Sequence, residues 1–134
     1  MVAKVVAEAI ETRLAAIGLP VVGQNVQDGA PADGSAFLLV QYPVTNAEPI
    51  SVGAPGENLY RDEGGARVVI SVPSGSGRDQ ALDWSDEIIA LFRGHTDGHL
   101  EFLAPAGGPI DDRNDNGAYF QLTVALPYRF DQFG

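Results

Sequence analysis

Apolar residues recur with a helical period from the second position of the chain. Val2, Val5, Val6, Ala9, Ile10, Leu14 and Ile17 fall on one side of such a helix, with Lys4, Glu8, Glu11 and Ala15 opposite. The spacing predicts an amphipathic helix over residues 2–17, ended by Gly18 as a left-handed cap, with Pro20 just beyond. Arg13 lies inside the apolar arc, which leaves two readings. Its stem lies along apolar surface with a solvated head, or it forms an ion pair across a subunit interface.

The period then changes to that of strands. "AFLLVQYPV" (36–44) reads as a strand, with Pro43 marking its end or an exposed edge. Residues 45–58, "TNAEPISVGAPGEN", hold two prolines and two glycines without a helical period, and predict a loop. In "ARVVISV" (66–72) Val68, Ile70 and Val72 share one face, and Arg67, Val69 and Ser71 the other. A second helix follows: Ala81, Leu82, Trp84, Ile88, Ile89, Leu91 and Phe92 oppose Asp83, Asp86, Glu87 and Ala90, and Gly94 caps its end. "HLEFLAP" (99–105) predicts a strand. "AYFQLTVALPYRF" (118–130) predicts a longer one, by strict alternation. With no internal repeat and no linker, the expectation is one domain over 1–134. Its class is α+β, a largely antiparallel or mixed sheet with two α-helices packed on one face.

Composition narrows the function. The chain has 134 residues, 45% hydrophobic and 19% charged, enough to bury a core. Eighteen acidic residues against eight basic ones give a net charge of −10, and Lys4 is the one lysine. Gripping nucleic acid requires clustered cations that displace counterions, so tight nucleic-acid binding is not expected. With no cysteine, the chain forms no disulfide and has no thiolate chemistry. No apolar run approaches the ~20 residues of a membrane helix. Glu8, Glu11 and Arg13 stand where a signal peptide would be apolar, so the chain is expected to be made and kept in the cytoplasm.

Four motifs suggest chemistry without completing it. "SVPSGSGRDQ" (71–80) joins a strand, a glycine loop and a helix start, yet has neither the lysine nor the spacing of a phosphate-binding loop. Ser76 instead fits the N-cap of the second helix, with Asp79 in its first turn. "DRNDNG" (112–117) matches the first half of a calcium loop. The twelfth position, however, is Thr123 in place of the closing glutamate. A hairpin turn at Asn116-Gly117 accounts for it better. "GHTDGH" (94–99) carries both histidines, but its two glycines break the helix that would aim them at one metal, so they read as solvated loop residues. Gly75-Ser76-Gly77 is too tight for a nucleophile elbow. No catalytic residue, metal or cofactor is expected. An alternative reading keeps a small-ligand or calcium-binding module using loops 94–99 and 111–117.

The succession of short motifs is more informative than any one of them. "ETRLAAIGLP" (11–20) leads to "QN" (24–25), "YRDEGG" (60–65) opens a strand ending "VPSGSG" (72–77), a helix ends in "LFRG" (91–94), and "VALPYRFD" (124–131) follows. This order, over nearly the whole chain, resembles the tail terminator, or tail-completion, proteins of long-tailed bacteriophages and phage-like gene transfer agents. The resemblance implies a sheet with two helices and a homo-oligomeric, hexameric ring. That ring would cap the tail tube, end its polymerisation and join it to the head–tail connector protein, without catalysis. It also implies a place in the virion or phage-like particle tail, assembled in the bacterial host cytoplasm, with tail tube protein and connector as partners and no membrane. DNA would pass through without specific binding, and an acidic ring would let the duplex slide.

A closed ring needs head-to-tail contact between two different patches on each subunit. Exposed strand edges and loop 45–58 are the expected patches. Arg13, Glu48, Ile50, Val52, Glu57, Tyr60, Arg61, Arg67, Tyr128 and Arg129 are the candidate interface residues.

Overall fold

The computed structural model describes residues 4–18, 21–22, 36–49, 53, 58–73, 75, 79–108, 115–116 and 119–133. Helix α1 is Lys4–Ala16. It buries one stripe, Val6, Ile10 and Leu14, spaced four residues apart. The expected arc is wider than the buried one: Val5 is 58% exposed and Ile17 39%. A helix lying on a sheet touches it along one line, and these two residues sit on the flanks of that line. Gly18, at φ +82°, ends the helix, and its amide donates to the Ala15 carbonyl at 3.0 Å.

Three long strands make the sheet. After β1 (Val21–Val22) come β2 (Phe37–Pro49), β3 (Leu59–Pro73) and, last in the described chain, β8 (Tyr119–Phe133). Short strands β4 (Thr96–Asp97), β5 (Leu100–Phe102), β6 (Ala106–Gly107) and β7 (Asp115–Asn116) lie between. The order is β1-β2-β3-β8-β5-β4, antiparallel except for the parallel pair β1–β2. One edge of β8 pairs with β3 along its whole length. The other is filled in relay by β5 at Tyr128–Phe130, β6 at Val124–Ala125 and β7 at Tyr119–Phe120.

Residues 45–49 correct the expected loop, because they continue β2, and β3 begins at Leu59, seven residues before the expected start. Pairing runs from Val44 opposite Gly65 to Pro49 opposite Tyr60, which sets the register of the glycine pair 64–65. This outer half of the hairpin carries polar residues on both faces, so no alternation announces it. Between Gln41 and Val44 the register shifts by one residue, a bulge that falls at Tyr42 and Pro43. Proline has no amide to give the ladder, which makes a bulge a suitable place for it.

Helix α2 (Asp79–Phe92) buries Ala81, Ser85, Ile88 and Phe92. Those residues, the α1 stripe and one face of the long strands form a single apolar cluster. That face is built from Leu38 and Val40, from Val68, Ile70 and Val72, and from Leu122, Val124, Leu126 and Tyr128. Both helices therefore cover the same side of the sheet. On the other side Phe37 and Tyr119 meet edge to face at 5.2 Å, and buried Ser71 accepts from Gln121 Nε2 at 3.2 Å.

Two turn expectations change in detail. Asn116 pairs with Tyr119, so the two residues joining β7 to β8 are Gly117 and Ala118, one position beyond the expected Asn116-Gly117. The 94–99 segment is a tight β4–β5 hairpin with Gly98 at φ +60°. Ser76 lies outside the described residues; Asp79 does open α2.

Candidate functional site

Arg13 unites the two helices. Its Nε and Nη2 donate to the Leu91 carbonyl at 3.1 and 2.9 Å, and its guanidinium carbon stands 6.0 Å from the Phe92 ring centroid. The last carbonyls of a helix lack intrahelical donors and carry partial negative charge, so a cation from α1 satisfies the end of α2. Gly94 at φ +66° completes the cap, with Arg93 N donating to Ile89 O at 3.0 Å and His95 N to Phe92 O at 3.1 Å. The apolar stem and anchored head of Arg13 explain its place in the arc. Within the chain it meets a carbonyl rather than a carboxylate.

Beside this cap lies a groove of ≈ 490 Å³, bordered by α1, by His95 and by Phe102. His95 stacks on Phe102 at 6.0 Å and 19°, and Phe102 in turn packs on Phe92 at 4.8 Å. His95 is thus half-buried against an aromatic ring, not the solvated loop histidine expected, whereas His99 is exposed.

The second assembly of polar residues crosses the outer half of the hairpin. Glu48, Arg61 and Asp131 stand in register on β2, β3 and β8, and Asn46, Glu63, Arg129 and Glu101 follow two residues along. Arg61 grips Asp131 at two points, Nε–Oδ1 2.8 Å and Nη2–Oδ2 3.1 Å, while Arg129 reaches Glu101 at 3.1 Å. The Arg61 hydrogen bonds hold the Asp131 carboxyl below its ordinary value. Partial desolvation opposes this shift, and Arg129 and His99 add to it.

The remaining candidates fall apart from this ladder. Arg67 lies on the open face and donates through Nε at 2.8 Å and through Nη2 to Gln41 Oε1. Tyr60 pairs between Pro49 and Gln132. Tyr128 is 2% exposed and belongs to the core; burial, then the charge of Asp62, raises its pKa. Ile50, Val52 and Glu57 lie outside the described residues. Asp131, Glu63, Glu101, His95 and Phe102 are members of these two sites that sequence reasoning misses as interface candidates. The first two carry a signal, because Arg61/Glu63 and Arg129/Asp131 each put opposite charges two residues apart on strand-like segments. Among the described residues no three of His, Asp or Glu converge as metal ligands would, and no helix is long and apolar enough to cross a membrane.

The profile of the phage tail terminator protein family matches residues 2–128. No curated protein matches the chain. One solved structure shares 23% identity, covers 100% of this chain and 98% of its own, and superposes with a TM-score of 0.68, a likeness of fold.

Proposed function

The chain belongs to the phage tail terminator family, a family of structural proteins that complete the virion tail, and from that membership we propose that it works as one segment of a hexameric collar. The collar seats on the finished tail tube, stops addition of further tube subunits and presents its other side to the head–tail connector. Assembly takes place in the bacterial cytoplasm. The observation that carries this reading is the family match over almost the entire chain.

Two features of the structure support it. The long β2–β3–β8 ribbon is cross-braced by the Arg61–Asp131 and Arg129–Glu101 pairs, which suits a part that works by shape and contact. The solvent side of α2 shows Asp79, Asp83, Asp86 and Glu87, all exposed. Repeated around a ring, such a surface repels a passing DNA duplex.

Electron micrographs of particles from a strain lacking the protein test the proposal. Tails of abnormal length, separate from filled heads, are expected. Tails of ordinary length joined to filled heads would overturn it.

A further inference from the structure

We infer that the groove beside α1 receives the tip of the β2–β3 hairpin from a second copy of this chain. The inference rests on the ring reading and names the two patches that would join neighbouring subunits. The groove floor is apolar, formed by Val5, Ala9, Ala16 and Phe102, and its donors are the Arg13 guanidinium and the His95 imidazole. Glu8, also on the rim, is paired with Lys4 at 3.6 Å. Arg13 is bound to a backbone carbonyl and has no carboxylate partner among the described residues. A fitting occupant therefore has aliphatic side chains and one acidic group.

Residues 50–57, Ile-Ser-Val-Gly-Ala-Pro-Gly-Glu, have that chemistry: Ile50, Val52, Ala54 and Pro55 are apolar, and Glu57 is the one charged residue. Charge complementarity favours this segment in a chain of net charge −10, where apolar stretches ending in one carboxylate match a groove with two cationic or N–H donors.

The chain's own tip does not reach its own groove. Phe102 aligns with Tyr128 and Gly64, and the hairpin base at Leu59 is five residues further out, ~17 Å along the strand. Eight residues that must leave the base and return to it extend about four residues' length, ~14 Å at full stretch. The occupant is thus another copy. Because tip and groove are different patches, each subunit gives one and takes one, the arrangement from which rings close.

The cysteine-free sequence permits a direct test. The V5C/V52C double variant, assembled on tail tubes and then oxidised, is expected to give a covalent ladder ending at the closed ring. Val5→Cys paired with Ala125→Cys, on the opposite face of the sheet, is expected to give none. Ala16→Trp fills the groove from an exposed position and should abolish ring mass with an unchanged urea midpoint. A wild-type ring without the V5C/V52C ladder, or an Ala16→Trp ring of normal mass, overturns the groove assignment and leaves the ring reading standing. A wild-type protein that never self-associates, free or with tubes, overturns both.

Discussion

Asp131 faces Arg61 directly across the β3–β8 ladder, and both carboxylate oxygens are engaged by the one guanidinium. A two-point bond fixes the orientation of both side chains as well as their separation. The outer ribbon is thereby tied at a place where the helices contribute no apolar cover of their own.

That bond gives stability a pH dependence of definite sign. Asp131 has a folded pKa below its ordinary 3.8, so its contribution is complete above the unfolded value and is lost as pH falls through the folded one. Wild type is expected to have the higher urea midpoint over Asp131→Asn at neutral pH, with the gap closing below 3.8. A gap of the same size at ~pH 2 would show that the pair does not act through charge.

Replacing Arg13 by Ala removes the two donors on Leu91 O and uncaps α2. A loss of about 1–3 kcal/mol is expected, the usual range for a charged hydrogen-bond donor. Arg13→Lys should recover part of it, since an ammonium lacks the forked geometry. Urea unfolding of the three proteins checks the order; equal midpoints for Ala and wild type would refute the cap.

Ile10 is fully buried and Val5 is 58% exposed, though they stand five residues apart on one helix. Ile10→Ala is expected to cost about 2–5 kcal/mol through lost burial and a cavity. Val5→Ala should stay within about 0.5 kcal/mol. Thermal unfolding of the two variants side by side measures the difference, and comparable losses would place α1 in another rotation.

Tyr42 donates to Ala7 O at 3.4 Å and Glu11 Oε1 at 3.3 Å, and burial, then the Glu11 charge, pushes its pKa above the ordinary 10.0. A raised folded pKa adds stability below the unfolded value that disappears as pH climbs through the folded one. In an alkaline absorbance titration, Tyr42→Phe should remove a component from the late part of the curve. Loss of a component at or below pH 10.0 would contradict the assignment.

Where burial is one-sided, as at Val68, Ile70 and Val72 or along 120–126, alternation alone makes the strands legible in the sequence. The α1 stripe is legible as a helix but not in rotation, because valine and isoleucine on the flanks look the same as those beneath. Residues 45–49 and 59–65 are hidden for the opposite reason: a charge-braced ribbon needs hydrogen bonds and ion pairs, and these leave no hydrophobic period. The groove depends on contacts 78 residues apart, Arg13 to Leu91, which no local pattern encodes. Order of motifs, more than any single residue, carries the family resemblance that the profile match bears out.

The position of β8 has a kinetic consequence. It pairs with β3, β5, β6 and β7, yet is translated after all of them. On the ribosome the earlier strands wait with an open seam, and the interior closes only once residues 119–133 have emerged. Folding is then a single late event governed by distant pairings, of the slow kind. Nascent chains cannot present finished contact surfaces to one another, so polysomes release subunits before any assembly can begin.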